Sequence, residues 1–343
     1  MIALSFSFSH HGRYSAYHRL LNYLRDTDYR VDATLPGLAR RKIFNPRGWT
    51  ESLWRCFKER EAFCKASLYN QEWVHYLYPE QGYFRGNKLK SNNLKIAMSC
   101  HLPYDTFERY GDYFKNLKNG LSLADALILM SPDDLDFYSS IAPNSKTCFI
   151  PHGVDTHHFK PILDKKFCIL DRITILTCGG MLRDFDTLVQ VIEIAASRKM
   201  PWKFVVVTGQ NHLDYIFHKL SATAKSCFVP LTGLDDRELL DIYHKADLLY
   251  LPLLNATANN AVLESMSCGL PMILSDFPAT RAYAADTAEY LNGRDPDEAF
   301  NKILSLAYDV ERLKKLSLET RVRAVTHLSW EVVVNRQISF LND

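Results

Sequence analysis

Residues 255–271 read NATANNAVLESMSCGLP. The polar half of this stretch follows an apolar run and precedes residues with the apolar spacing of a helix, so we expect a strand, a turn and a helix in that order. Asn and Thr side chains cap free helix amides, which predicts a helix that begins near Asn259 or Asn260. Gly269 and Pro271 predict its end. A helix that begins where a strand ends is typical of an α/β fold.

The same stretch combines an anion site with a carboxylate. A helix N-terminus offers unpaired amides and the positive end of the helix dipole, and therefore favours an anion. Glu264 lies further along the helix, beside its apolar stripe, and needs a hydroxyl or a cation as partner. One interpretation is a nucleoside diphosphate site, with amides for the phosphates and Glu264 for the ribose hydroxyls. The other is an ordinary capped helix whose glutamate forms a salt bridge.

Short apolar runs alternate with helical periodicity along the whole chain. In the second half these runs are ITILTCGG, KFVVVTG, DLLYLPL and PMILSD, and in the first half they are IALSFSF, VHYLYP, KIAMSC, ALILMS and KTCFIP. This alternation predicts parallel sheets that are covered by helices on both faces. The segment IPHGVDTHHFKP (150–161) breaks both periodicities and predicts the boundary between two domains, 1–150 and 151–327. The last helix, 328–343, could pack back on the first domain.

The composition fits a globular protein of two domains. The chain has 343 residues and a formal net charge of +2, which gives no global field that would attract nucleic acid or a membrane. No apolar run reaches the ~20 residues of a membrane span, and the first residues lack the pattern of a signal peptide. The eight cysteines form no C-x-x-C pair, so we expect free thiols in a reducing compartment.

Three segments carry a resemblance to a known family. They are NATANNAVLESMSCGLPMILSD, IPHGVDTHHFKP and LTGLDDRELLDIYHKADLLYLPL, and their order and spacing resemble the retaining GT-B glycosyltransferases of family 4 (group 1). The resemblance extends over about 150–285 and is weak over 1–145. It implies an α/β fold of the GT-B type, with two Rossmann-like domains whose parallel sheets face a central cleft. It also implies transfer of a sugar from a nucleotide-diphosphate donor to an acceptor hydroxyl, with retention at the anomeric carbon.

The resemblance assigns donor-side roles around the first motif. Glu264 matches the second of two family glutamates, which implies a bond to the donor ribose. Ala256 stands where the first glutamate is usual, so Asn255 or Thr257 could supply a neutral hydrogen bond instead. The residues expected to bind the donor at the helix N-terminus are Asn255, Thr257, Ala258, Asn259 and Asn260.

A second departure from the family pattern lies in CGGMLRDFDTL (178–188). The family typically has an arginine and a lysine there, which neutralise the diphosphate, and Arg183 is the only cation of this segment. We predict that Arg183 binds the diphosphate beside Gly179 and Gly180. The alternative is an exposed arginine that pairs with Asp184.

Four further residues complete the predicted site. Gly209, at the end of KFVVVTG, and Leu231, in a predicted loop over 230–234, are expected to contact the donor, with the loop lining the pocket of the base through backbone groups. His101 follows the strand KIAMSC, where family members often have a histidine near the donor sugar or its phosphate; the alternative is a packed structural histidine. Gly12 would allow a close backbone approach to the diphosphate or the acceptor. The predicted catalytic residues are therefore His101, Arg183 and Glu264.

Residues 37–65 combine basic and aromatic side chains. This composition is typical of an amphipathic helix next to a membrane, of a site for an anionic acceptor, or of a solvated helix with Trp54 and Phe57 in the core. The D-x-D sequences in DTD, DDLD and DPD are interpreted as caps and turns and not as a metal site. We therefore expect neither a metal nor another cofactor.

The sequence thus favours a metal-independent hexosyltransferase-type enzyme, cytoplasmic or at the inner face of the membrane, in polysaccharide, lipopolysaccharide or glycolipid synthesis of bacterial type. The expected partners are a nucleotide-sugar donor and a saccharide or lipid-linked acceptor, without nucleic acid. The alternatives are a nucleotide-sugar-binding protein without turnover, which the missing glutamate favours, and an epimerase or phosphorylase of the same fold. A nicotinamide oxidoreductase is disfavoured because no G-x-G-x-x-G follows a strand.

Overall fold

In the computed structural model, the chain divides into two compact units. The first holds most of the described residues up to Gly153 together with Trp330–Asp343, and the second holds Val154–Ser329. The residues that the structure describes are 1–5, 14, 17–24, 28–32, 49–83, 86–91, 93–109, 115–162 and 173–343. The carboxy-terminal helix, which the sequence left without a fixed place, is part of the first unit.

The first unit is built on a six-stranded, fully parallel sheet with the strand order β2-β1-β3-β4-β5-β6. Its strands are β1 (Ile2–Ser5), β2 (Tyr29–Asp32), β3 (Trp73–Tyr76), β4 (Lys95–Cys100), β5 (Ala126–Leu129) and β6 (Lys146–Phe149). Its helices are α1 (Trp49–Leu68), α2 (Pro79–Gly82), α3 (Gly86–Leu89), α4 (Tyr104–Arg109), α5 (Lys115–Leu121), α6 (Leu135–Ile141) and the carboxy-terminal helix (Trp330–Asn342), with 3-10 turns at Tyr17–Tyr23 and Pro132–Asp134.

The second unit has a second six-stranded parallel sheet, in the order β12-β11-β10-β7-β8-β9. Its strands are β7 (Ile173–Cys178), β8 (Trp202–Val207), β9 (Phe228–Leu231), β10 (Leu248–Leu251), β11 (Met272–Ser275) and β12 (Glu289–Leu291). Its helices are α7 (Phe185–Ser197), α8 (Gln210–Lys219), α9 (Ala222–Lys225), α10 (Asp236–Lys245), α11 (Asn260–Ser267), α12 (Pro278–Ala284), α13 (Pro296–Ala307) and α14 (Val310–His327), with a 3-10 turn at Ala285–Thr287.

Burial explains why the central strands were predictable. Every residue of β5, β10 and β11 is buried, so these strands read as continuous apolar runs. Three of the four edge strands, β2, β9 and β12, were not predicted, since they are short and partly exposed and form no such run; the fourth, β6, was predicted from KTCFIP. The predicted loop over 230–234 is wrong at its start, because Pro230 and Leu231 end β9; an edge strand tolerates the proline.

The predicted start of α11 is confirmed. Its N-cap is Asn259 and its first residue is Asn260. The helix ends at Ser267, and Gly269 follows with a φ of +66°, the left-handed conformation that glycine adopts most easily. In the part of the chain that the structure describes, no helix is both long enough and apolar enough to cross a membrane.

Candidate functional site

The second sheet reverses its strand order beside β7. β8 and β9 follow on one side of β7, whereas β10, β11 and β12 lie on the other. In open parallel sheets, ligands bind beyond the carboxyl ends of the strands at such a reversal. The segments that leave β7 and β10 at this edge are 179–184 and 252–259, and they contain most of the residues predicted for the donor side.

Backbone hydrogen bonds join these two segments. The N–H of Asp184 donates to the carbonyl of Pro252 over 3.0 Å, and the N–H of Leu254 donates to the carbonyl of Leu182 over 2.9 Å. Leu182 has a φ of +61°, which is costly for a residue with a side chain and persists only where the surroundings enforce it. The two segments therefore form one fixed surface.

Arg183 is held in place by three acceptors. Its Nε donates to the carbonyl of Cys178 over 2.9 Å, its Nη1 to the carbonyl of Met181 over 2.8 Å, and its Nη2 to Asn259 Oδ1 over 3.1 Å. Gly179 has a φ of +91°, and a Cβ there would come within 2.5 Å of Arg183 Nη2. The glycine is thus required both by its backbone conformation and by the close approach of the guanidinium.

The alternative in which Arg183 is an exposed partner of Asp184 is wrong. Asp184 caps α7: its Oδ1 accepts from the N–H of Thr187 over 3.1 Å and its Oδ2 from the Thr187 hydroxyl over 2.8 Å. The cation beside Asp184 is Arg294, at 3.4 Å. Burial lowers the pKa of Arg183 from its usual value, yet an arginine keeps its charge in a protein. Arg183 therefore remains a fixed cation with donors to spare.

The N-terminus of α11 presents a run of unpaired amides next to this cation. Asn259 Oδ1 accepts from the N–H groups of Ala261 and Val262, over 3.1 and 3.4 Å, as well as from Arg183. The backbone N–H groups of 257–260 have no acceptor among the residues that the structure describes. Unpaired amides at a helix N-terminus beside a guanidinium form an anion site.

Two buried hydroxyls at the same edge also lack a partner within the described residues. Thr208 Oγ1 and Thr257 Oγ1 are both shielded from solvent without a hydrogen bond. A Cβ added at Gly180 would lie 3.2 Å from Thr208 Oγ1 and 3.1 Å from His212 Nε2, so the glycine keeps this side of the site narrow and polar. A buried hydroxyl without a partner costs about 1–3 kcal/mol, a cost that a polar ligand can relieve.

Glu264 lies inside the unit with a hydroxyl as partner. The residue is only 4% exposed, and its Oε2 accepts from Tyr243 Oη over 2.8 Å. Burial, together with the charge of Glu264, raises the pKa of the nearby Cys178 thiol to about 11. The predicted need for a hydroxyl or a cation is thereby confirmed, and the carboxylate lies close to the end of β7 from which the Arg183 segment starts.

The position of the missing family glutamate is small and closed. Ala256 is 5% exposed, and its N–H donates to the side-chain oxygen of the preceding Asn255 over 2.7 Å. Because Asn255 already uses this oxygen while the Thr257 hydroxyl has no acceptor or donor among the described residues, Thr257 is the better candidate for the neutral hydrogen bond.

Gly209 and Leu231, two further residues predicted for the donor side, follow or end the strands β8 and β9. Gly209 is the N-cap of α8, and a Cβ there would meet nothing within 4 Å, so this helix start faces open space. The carbonyl of Leu231 accepts from the N–H of Thr208 over 3.1 Å, at the end of the β8–β9 pairing. Because a carbonyl oxygen has two lone pairs, it can accept a second hydrogen bond from a base while this pairing stays intact.

His101 belongs to the first unit, at the carboxyl end of β4. Its Nε2 donates to the carbonyl of Leu77 over 2.8 Å, and its backbone N–H donates to Glu80 Oε1 over 2.7 Å. The ring lies against Tyr17 and Tyr78, each with its centroid 4.8 Å away. Burial lowers the pKa of His101, so the ring is neutral at pH 7 and keeps Nδ1 as an acceptor.

The structure thus brings together Gly179, Gly180, Arg183, Thr257, Asn259 and Glu264 around the end of β7 and places His101 in the other unit, while Gly12 lies outside the described residues. Sequence reasoning missed Thr208, His212 and the bond from Tyr243 to Glu264. The available signal was a polar residue directly after β8 and a tyrosine on the buried face of α10.

Of the acidic pairs, only Asp295 is seen as a side-chain cap; Asp134 makes no cap bond in α6, which it precedes, and Asp28 pairs with the amino group of Met1 at 2.7 Å. Asp295 caps α13 and accepts from the N–H of Asp297 over 2.9 Å, and Asp134 accepts from the N–H of Tyr104 over 2.9 Å. Among the residues with described positions, no group of three or more His, Cys, Asp or Glu side chains could hold a metal ion. Asp26 lies outside those residues.

Sequence comparison finds a match between part of the chain and a known family. Residues 172–309 match the family model of Glycosyl transferases group 1. A GDP-mannose-dependent alpha-(1-6)-phosphatidylinositol monomannoside mannosyltransferase of Mycobacterium tuberculosis is 23% identical over 224 residues, which is 60% of this chain. The chain spans 58% of the length of the curated relatives it matches.

Solved structures show the same fold at low identity. HepE of Anabaena with UDP and glucose has a TM-score of 0.67 at 12% identity and covers 100% of this chain and 99% of its own. A glycosyltransferase of Rickettsia africae gives 0.68 at 11%, with 100% and 98% covered. Sucrose-phosphate synthase of Thermosynechococcus elongatus gives 0.67 at 18%, with 92% and 82% covered. The α/β fold of the GT-B type and the resemblance to group 1 glycosyltransferases are thereby confirmed.

Proposed function

We propose that this protein is a glycosyltransferase that moves a sugar from a nucleoside-diphosphate donor to an acceptor hydroxyl with retention. The observation that carries the proposal is the bond between Arg183 and Asn259, which fixes a cation beside the unpaired amides of 257–260. A diphosphate is the ligand that such a combination binds best. The family match of 172–309 supports a sugar as the group that is transferred.

The proposed reaction is driven by stabilisation of the departing diphosphate. Negative charge grows on its oxygens as the bond to the sugar breaks, and Arg183 with the neighbouring amides lies where that charge forms. Each charge-assisted hydrogen bond contributes about 1.5–3 kcal/mol. No side chain has to attack the sugar: retention results when the acceptor hydroxyl approaches from the face that the diphosphate leaves and gives its proton to the departing diphosphate oxygen, and orientation supplies the remaining acceleration.

The other residues of the proposed site orient the donor. Glu264, held by Tyr243, accepts from the ribose hydroxyls. Thr257 and Thr208 supply hydroxyls whose hydrogen bonds are otherwise unmade. His101, in the first unit, uses Nε2 for the carbonyl of Leu77 and keeps Nδ1 as an acceptor, for which a sugar hydroxyl is a suitable donor. Because Arg183 already provides the positive charge, we expect transfer without a metal ion and without another cofactor.

The acceptor class follows from the relative rather than from the site. The curated mannosyltransferase is named for GDP-mannose as donor and for a phosphatidylinositol mannoside as acceptor. We propose a hexose donor and a saccharide or lipid-linked acceptor for this chain, in polysaccharide, lipopolysaccharide or glycolipid synthesis, at the cytoplasmic side.

One observation favours a second function, nucleotide-sugar binding without turnover. Ala256 occupies a closed position and removes a carboxylate that the family resemblance leads one to expect near the donor sugar. Incubation with UDP- and GDP-sugars and candidate acceptors separates the two functions, because only a transferase releases the nucleoside diphosphate. Thermal stabilisation by a nucleotide sugar, without release of the nucleoside diphosphate, would establish a binding protein. If neither stabilisation nor release is observed, both functions are refuted.

Replacement of Arg183 by Gln tests the diphosphate site. Loss of the cation is expected to weaken the affinity for a nucleoside diphosphate by roughly 10- to 100-fold, since one or two charge-assisted hydrogen bonds are lost. The matched control is Arg198→Gln, which removes an exposed arginine of the same unit that pairs with Asp297. Titration calorimetry of both variants should show an effect for Arg183 alone; equal affinities in wild type and Arg183→Gln would remove Arg183 from the site.

A further inference from the structure

The outer face of α1 is an apolar stripe exposed to solvent. It consists of Leu53, Phe57, Cys64 and Leu68. Leu53 is 70% exposed, Phe57 61% and Leu68 73%, and Cys64 is exposed as well. Their spacing of four, seven and four residues puts them on one side of the helix. The opposite side, with the buried Ala62 and Ala66, packs on the first unit. The stripe thus has two exposed apolar pairs, Leu53 with Phe57 and Cys64 with Leu68, and such groups on one helix face mark an interaction surface.

Basic side chains accompany this α1 stripe. Arg60 is exposed between Phe57 and Cys64, and Lys58 and Lys65 lie along one border, where both pair with Glu61 at 2.7 Å. The other glutamate of this part of α1 is buried and accepts from a tyrosine hydroxyl of β3 over 2.8 Å, so it offers no charge to solvent. Among the side chains of 53–68, which the structure describes, the stripe is accompanied by Lys58, Arg60 and Lys65 and by the single exposed-side carboxylate of Glu61.

An aromatic ring lies at the border between the apolar and the basic parts. The centroids of Trp54 and Phe57 are 6.2 Å apart, and Lys58 Nζ lies 5.0 Å from the centroid of the Trp54 ring. Tryptophan is enriched at membrane–water interfaces because its ring is apolar and its N–H is polar. Across this face of α1, leucine and phenylalanine lie in the middle, tryptophan lies at the edge and lysine lies beyond it. The same order of side chains is expected from the hydrocarbon core of a membrane to its headgroups.

We propose that the α1 stripe docks this protein on an anionic lipid surface, with the helix axis in the plane of the membrane. α1 has 20 residues, or about 30 Å, with one apolar face, which suits a helix that lies on a bilayer. The bordering cations match anionic headgroups. A second copy on this face would bring the same basic borders together, and charge repulsion disfavours that pairing. This docking does not depend on the proposed sugar transfer.

Vesicle flotation of the full chain tests the apolar part. The protein is expected to float with phosphatidylcholine vesicles that contain phosphatidylglycerol, and the double variant Leu53→Ser, Phe57→Ser is expected to bind them roughly tenfold or more weakly, because two large side chains no longer enter the lipid. The matched control is Leu318→Ser, at a leucine of α14 that is 67% exposed, and it should bind like the wild type.

The charge part is tested with Arg60→Gln. Its affinity for the phosphatidylglycerol vesicles should fall about fivefold, and added salt should weaken the binding of the wild type. Lys315→Gln, at a lysine of α14 whose side chain is 72% exposed, is the control without an expected effect. Neither measurement needs a nucleotide sugar, so its result is independent of the proposed enzyme activity.

Three results would overturn the docking proposal. They are no flotation of the wild type with anionic vesicles, equal flotation with pure phosphatidylcholine, and unchanged flotation of the double variant. If the molecular mass in solution rises with protein concentration in the absence of lipid, and the double variant no longer shows this rise, the stripe is an interface with a second copy instead. Should the double variant unfold, Leu68→Ser probes the same face from its other end.

Discussion

In the proposed site, the buried hydroxyl of Tyr243 orients the carboxylate of Glu264. The phenol is fully buried and donates to the carboxylate over 2.8 Å, which holds Glu264 in one orientation. The same unit contains a second fully buried tyrosine, Tyr250, whose hydroxyl has no hydrogen-bond partner among the described residues. The two tyrosines are chemically alike, and only their surroundings differ.

This pair allows a controlled prediction for a positioning residue. Tyr243→Phe leaves a buried carboxylate oxygen without its donor and should lower the free energy of unfolding by about 1–3 kcal/mol. It should also weaken the stabilisation by a nucleoside diphosphate, because Glu264 loses the hydrogen bond that orients its Oε2. Tyr250→Phe removes an unsatisfied hydroxyl and should be neutral or stabilising.

Urea unfolding with and without the nucleotide measures both effects. A Tyr243→Phe protein that is destabilised but keeps its full response to the nucleotide would reduce the bond to a structural role. Equal destabilisation by the two variants would contradict the geometry on which the comparison depends.

At the scale of the element, the start of α11 combines two tasks. Asn259 caps the helix through the N–H groups of Ala261 and Val262, and the same oxygen receives Arg183 Nη2. A second capped helix of the unit, α10, has Asp235 at its N-cap with a full capping box to Glu238. Helix stability and site geometry can therefore be separated by comparing the two caps.

Asn259→Ala and Asp235→Ala should both cost about 0.5–2 kcal/mol of unfolding free energy, the usual price of a lost cap. Only Asn259→Ala should in addition weaken binding of a nucleoside diphosphate, since Arg183 loses one of its three acceptors. Thermal unfolding gives the first quantity and titration calorimetry the second. An equal loss of affinity in both variants would mean that stability alone governs binding.

At the scale of the whole molecule, the first unit depends on the last residues of the chain. Trp330 of the carboxy-terminal helix is buried, with its ring 5.5 Å from that of Tyr17 and 5.0 Å from that of His152. A Cβ at Gly153 would come within 2.5 Å of the Trp330 ring. Gln337 lies about two turns beyond Trp330 on the same face of this helix, and its side-chain amide donates to the hydroxyl of Tyr17. The carboxy-terminal helix therefore contributes to the core of the first unit.

Trp330→Ala is expected to destabilise the first unit by about 3–5 kcal/mol, because a large buried ring leaves a cavity. Amide hydrogen exchange should show faster exchange in β3, β4 and β5 and unchanged exchange in β7, β10 and β11. Phe340→Ala, at a partly buried position of the same helix, is the control with a smaller expected effect. Faster exchange in both units alike would contradict the assignment of this helix to the first unit.

The fold was predictable where burial is complete. β5, β10 and β11 are covered on both faces, so nearly every residue is apolar and the run is visible in the chain itself. β2, β9 and β12 lie at sheet edges and combine exposed with buried residues, a pattern shared with loops. The motif residues of the site were predictable for a related reason: a cap, a glycine and a lone arginine are local features.

Periodicity and capping act between near neighbours in the chain, so two alternating α/β halves, the start of α11 and the candidate site residues could be predicted without coordinates. The hydrogen bonds from Arg183 to Asn259, from Tyr243 to Glu264 and from Gln337 to Tyr17 could not, because they appear only in the folded chain. These contacts join residues that are 76, 21 and 320 positions apart. No local rule fixes such pairs, since strand order and packing alone bring them together.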